Sequence, residues 1–101
     1  MPLNSKIDIV SLADMGLRKE VENCLKSGIN PNTTNEDGQT PLHKAVIRSD
    51  KKLISILIRY GANPKIADDY GRDCFEYAKQ ANNDEIERIL KNATSRPSLN
   101  R

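Results

Sequence analysis

At 101 residues the chain has room for one domain of about 100 to 200 residues, which excludes a catalytic domain joined to a regulatory one. Its hydrophobic fraction of 37% is low, its charged fraction of 30% is high, and one Phe, three Tyr and no Trp supply few large side chains for a thick central core. The formal charge of +2 comes from acidic and basic residues interspersed along the chain, without the clustered basic face that nucleic-acid binding by counterion release requires.

The first residues, MPLNSKIDIVSL, hold one Lys and a short apolar run broken by Asp8, unlike a secretory leader, and read as mature structure of a cytoplasmic protein. Leu53 to Ile58 is the longest apolar stretch, is interrupted by Ser55, and falls far short of the roughly 20 residues of a membrane helix. Membrane insertion is therefore not expected. Cys24 and Cys74 have no companion Cys or His at zinc-ligand spacing, so they read as reduced thiols, and a bridge between them is expected only for an exported protein.

Comparing the chain with itself exposes a period. NEDGQTPLHKAV (Asn35 to Val46) matches DDYGRDCFEYAK (Asp68 to Lys79), with Gly38 and Gly71 in register 33 residues apart. Carried backwards, the same offset sets Gly28 on Gly61, Asn30 on Asn63 and Pro31 on Pro64. Three units follow, at about 2–34, 35–67 and 68–93, within a domain spanning 1–94 and followed by a flexible tail, 95–101.

In chain order, the first unit carries IDIV at Ile7 to Val10 where the second has TPLH. In the second, Thr40 is suited to cap a helix whose first position is Pro41, and Leu42, Ala45 and Val46 form one apolar stripe. Ser49 and Asp50 turn the chain into a helix over about Lys52 to Tyr60, rich in Leu and Ile, which Gly61 ends in a left-handed conformation before Asn63 and Pro64. The third unit replaces Thr40 and His43 with Asp73 and Glu76, a pair with capping-box spacing, loses Pro41 to Cys74, and frays from Thr94 onward. Lys6, Asp8, Glu87, Arg88 and Lys91 are consistent with polar outer faces at the two ends of a stack.

The 33-residue period and the run TPLHKA (Thr40 to Ala45) resemble the ankyrin repeat family, over nearly the whole chain. The resemblance implies an all-α solenoid of stacked helix-turn-helix units joined by β-hairpin-like loops. It also implies a structural His43, bonded near Thr40 and to neighbouring loop backbone, rather than a general base. Asp68 and Asp69 read as turn residues, not metal ligands, and no phosphate loop occurs, so neither catalysis, metal nor cofactor is expected.

Ankyrin-like stacks bind other proteins through hairpin tips and the exposed ends of inner helices, which form a concave surface. Carried onto matching positions, the tips are Glu36, Asp37 and Gln39, then Asp69, Tyr70 and Arg72; the helix ends are Asp14 and Met15, Ile47 and Arg48, Gln80 and Ala81. Tyr70 and Arg48 are the strongest candidates, because aromatic and Arg side chains dominate binding hot spots. Ile47 reads equally as an exposed contact or as buried against the next unit, and Tyr60 as a convex-side contact.

The expected function is that of a monomeric, non-catalytic adaptor or inhibitor binding another protein. The ending GRDCFEYAKQANNDEIERIL is similar to the closing repeats of Arf GTPase-activating proteins, which makes a domain of a larger regulator the alternative. The initial Met, with no zinc finger ahead of the repeats, points instead to a complete chain. Abundant Asn, Ile and Lys hint at an AT-rich genome and leave a host-directed bacterial effector as a further alternative; a nuclear location stands as the alternative to a cytoplasmic one.

Overall fold

The computed structural model describes residues 8–95. Six helices alternate between two layers: α1 (Ile9–Asp14), α3 (Pro41–Ile47) and α5 (Cys74–Gln80) line the inner side, and α2 (Arg18–Lys26), α4 (Lys51–Arg59) and α6 (Asp84–Ser95) the outer. Each helix packs on its partner within the unit and on its counterpart in the next unit, giving a slab of 45 × 33 × 21 Å. No strand occurs among the described residues, and the two tips are closed as hairpin-like turns by Asn35 N–H to Gln39 C=O and Asp68 N–H to Arg72 C=O, each 2.9 Å.

Local chemistry repeats at the 33-residue interval. Thr40 caps α3 by accepting from the His43 amide, with Pro41 at its first position, and Asp73 caps α5 by accepting from the Glu76 amide. Asp50 caps α4 in the same way through the Leu53 amide. At the far end of the inner helices, Gly16, Ser49 and Asn82 take φ of +74°, +57° and +54°, the left-handed turn that lets each inner helix double back into its outer partner. Their successors donate to carbonyls one turn earlier, at Leu12, Ala45 and Ala78. Only the first of the three positions is Gly, the residue that adopts this conformation without steric cost.

The core is a thin sheet of side chains between layers. Leu42, Ala45 and Val46 of α3 and Leu53, Ile54 and Leu57 of α4 are buried together with Ile9, Val21, Ala78, Ile86 and Leu90. Ile56, Ile58 and Tyr60 are half-buried against them, so part of the Tyr60 side chain belongs to the packing.

The two ends of the stack depart from the repeat pattern. In register with Thr40 stands Ile7, which offers no capping oxygen, and the cap of α1 moves to Asp8, whose side chain accepts from the Ser11 amide; α1 is shortened to six residues. Thr94 and Ser95, expected at a frayed end, lie inside α6, because Thr94 takes the place where Gly28 and Gly61 stop the earlier outer helices, and its hydroxyl donates instead to carbonyls of its own helix. Lys6 and the remainder of the tail, 96–101, lie outside the described residues.

Ser49→Gly should stabilise the protein. The left-handed conformation costs a non-glycine residue about 1–2 kcal/mol, and glycine's extra chain entropy takes back about 0.5–1 kcal/mol. Thermal unfolding should show a midpoint about 2–4 °C higher; a lower midpoint would contradict the assignment of strain to Ser49.

Candidate functional site

The face formed by the hairpin tips and the ends of the inner helices is held from beneath by buried polar groups. His43 is fully buried, and its Nδ1 accepts the Thr40 amide at 3.0 Å, which leaves its Nε2–H to donate to the carbonyl of Arg72 in the next tip, also at 3.0 Å. Its own amide donates to the Thr40 hydroxyl, so Thr40 and His43 cap each other reciprocally. With both ring nitrogens committed to backbone and cap, the imidazole has no free position for proton transfer, as its place in the signature implied.

Beside it, Asp68 anchors the second tip. Its carboxylate accepts from the amides of Tyr70 and Arg72 and from the hydroxyl of Tyr77, whose ring meets His43 edge-on at 5.7 Å between centroids. Burial pushes the Asp68 carboxyl up, but the bonds from Tyr77, Arg72, Tyr70 and Gln39 outweigh it and hold the group below its usual range. Burial, reinforced by the bond to Asp68, raises the Tyr77 hydroxyl in turn. The Asn35 carboxamide oxygen takes the same role in the first tip, accepting from Asp37 and Gln39 amides.

The candidate surface residues divide into three groups around this support. Glu36, Asp37, Asp69, Gln80, Ala81 and Asp14 are exposed, and so are three apolar side chains, Met15 at 51%, Ile47 at 49% and Tyr70 at 67%. Of the two readings open for Ile47, exposure is the one found.

Arg48 and Arg72 are exposed but engaged. Arg48 Nη1 donates to the Asp14 carbonyl at 3.0 Å, closing the C-terminal end of α1, where a cation is favoured, and its guanidinium lies against Gly16. The Arg72 guanidinium sits 6.0 Å from the Tyr77 ring centroid. Lys44 reaches the Asp14 carboxylate at 4.0 Å.

Gln39 is corrected. It is 8% exposed, with its side chain beside Asp68 and Tyr77, and so belongs beneath the face rather than on it. It directly precedes the buried cap Thr40, and at that point the chain is already entering the core.

The tips touch one another: the Asp69 amide donates to the Asp37 carbonyl at 2.9 Å, and Gly38 lies so close to Asp69 that an added Cβ would stand 2.6 Å from its carboxylate oxygen. Tyr77 escaped sequence reasoning altogether. Its register partners are Ser11 and Lys44, and an aromatic hydroxyl at that position, with an Asp at 68 where 35 holds Asn, was the available signal.

Cys24 and Cys74 are free thiols, Cys24 half-buried and Cys74 buried. Burial, then the charges of Asp73 and Asp68, push the Cys74 thiol far up, so it is protonated and poorly nucleophilic. No cluster of His, Cys, Asp and Glu able to hold a metal occurs among the described residues, and none of their helices is long and apolar enough to cross a membrane.

Comparison with known proteins places this arrangement. A family model described as ankyrin repeats, three copies, matches residues 11–100. An ankyrin repeat-containing protein of Treponema pallidum is 38% identical over 74 residues, covering 73% of this chain and 25% of its own. The ankyrin repeat protein YahD of Escherichia coli is 34% identical, covering 61% and 33%, and an ankyrin repeat protein of Acanthamoeba polyphaga mimivirus is 37% identical, covering 58% and 14%. The chain thus spans a third or less of the length of each of these relatives.

Asp68→Asn tests the buried support. A carboxyl held below its usual value contributes stability that is present above about pH 4 and is lost as pH falls through the folded value. The substitution should cost about 1–2 kcal/mol at pH 7 in urea unfolding, with the gap to wild type closing below pH 4. A gap that stays constant with pH would show that the charge plays no part.

Proposed function

This chain belongs to the ankyrin repeat family, and from that premise we propose that it is a non-catalytic module, an adaptor or inhibitor, that binds another protein through its hairpin tips and inner-helix ends. The observation that carries the reading is the exposure of Met15, Ile47 and Tyr70 on a face whose backbone is tied from tip to tip. Exposed apolar and aromatic side chains on rigid backbone lose little entropy on docking and serve as anchors.

Against an enzymatic role, the only histidine is buried with both nitrogens bonded, and the buried carboxylate Asp68 is saturated by amide and hydroxyl donors. Neither group is left to act on a substrate.

Of the two strongest sequence candidates, Tyr70 keeps its place, while Arg48 serves the end of α1 as well as the surface. Tyr70→Ala with Ile47→Ala is therefore the cleaner probe than Arg48→Ala, whose loss would also release the α1 terminus. In affinity capture from a lysate of the source cells, the double variant should lose its bound protein by about tenfold or more. Its thermal midpoint should stay close to wild type, and Lys52→Ala, on the opposite side in α4, should leave capture unchanged. Undiminished capture by the double variant would remove this face from the account.

A further inference from the structure

Charge is unevenly placed among the elements. The outer helix α4 carries Lys51, Lys52 and Arg59 and no carboxylate, whereas the hairpin segments 33–40 and 66–73 carry Glu36, Asp37, Asp68, Asp69 and Asp73 against the single cation Arg72. Of these acids Asp68 is buried and Asp73 caps α5. Glu36, Asp37 and Asp69 remain, exposed and in no ion pair among the described residues. The bond from the Asp69 amide to the Asp37 carbonyl puts the two tips side by side, so the three carboxylates form a row. An open groove between the start of α1 and the first tip, lined by Asp8, Ser11, Asn35, Glu36 and Asp37, continues it.

None of the cations of the same face forms an ion pair with that row among the described residues. Lys44 and Arg48 are both directed to Asp14, and Arg72 to the Tyr77 ring. The exposed apolar side chains Met15, Ile47 and Tyr70 share the face.

Resting on the concave-face reading above, we propose that the occupant of this face is a cationic segment of another protein. Its Lys or Arg side chains stand against Glu36, Asp37 and Asp69, and its apolar side chains against Met15, Ile47 and Tyr70. The carboxylate row steers such a segment toward the tips and rejects acidic partners, while the apolar contacts hold it once docked. Phosphate-bearing occupants, nucleic acid and anionic lipid alike, are repelled by the same row.

The test selects from a random dodecapeptide library displayed on phage against the intact chain, and then measures affinities of the enriched peptides by fluorescence anisotropy. The proposal expects peptides of net positive charge with apolar residues between the cations, weakening as salt rises. Glu36→Lys with Asp37→Lys should reduce their affinity about tenfold or more. Glu20→Lys with Asp84→Lys, the same change in net charge on the outer helices, should leave it within about twofold. Equal losses from the two pairs would overturn the proposal, since attraction would then follow net charge alone. Neutral or acidic peptides that still lose binding to Tyr70→Ala with Ile47→Ala would overturn the cationic occupant and leave the concave face standing. Peptides indifferent to every one of these variants would overturn both. A selection that enriches nothing overturns the cationic segment, and capture from lysate then decides the face by itself.

Discussion

No helix pair in this chain can bury its own apolar side chains, and everything else about the molecule follows from that shortage. α4 shows it most clearly: Leu53, Ile54 and Leu57 are fully buried only because α2 and α6 flank the helix in the outer layer while α3 covers it from within. Each such side chain is worth about 1.5–3 kcal/mol when removed from water, and a unit standing alone would forfeit much of that sum. Stacking supplies the missing cover in slices, which is why a chain poor in aromatic residues needs no thick core.

Apolar contact alone would allow units to slide, and polar ties between units set the register. The Asn63 amide donates to the Asn32 side chain at 2.8 Å and Arg48 to the Asp14 carbonyl, joining the first unit to the second. His43 to the Arg72 carbonyl and the Asp69 amide to the Asp37 carbonyl join the second to the third. A backbone carbonyl is the acceptor in the last three of these, and between Asp69 and Asp37 both donor and acceptor are backbone. The exposed positions of the tips are thereby free to vary in chemistry while their spacing stays constant, which is what an interaction surface built on a scaffold requires. The surface ion pairs, Lys51 with Glu85 and Arg59 with the half-buried Glu22 among them, contribute little by comparison.

Much of this was legible in the residues. The 33-residue period, the Thr40 and Asp73 caps and the left-handed Gly61 all follow from local chemistry, which acts within a few residues and leaves a pattern in the chain. Features that depend on a neighbouring unit were not legible. Gln39 has the polarity of a surface residue, but the Asp68 and Tyr77 groups that receive it lie in the next unit and draw it inside. Arg48 reads as a hot spot until the open carbonyl of Asp14 is set beside it. At the ends of the stack the repeat pattern weakens, and there the boundaries moved: Asp8 replaced the absent Thr as a cap, and Thr94 let α6 run on where Gly had stopped its counterparts.

The central claim is that the three units are one cooperative structure in which the ties between units hold the exposed face of tips and inner-helix ends. Equilibrium urea unfolding followed by far-ultraviolet circular dichroism and by tyrosine fluorescence tests it directly, because Tyr60 reports from the second unit and Tyr70 and Tyr77 from the third while the dichroism sees every helix. The account predicts a single transition with the same midpoint by both probes. Tyrosine fluorescence that changes at a lower urea concentration than the dichroism would show the last unit melting alone, and would contradict it.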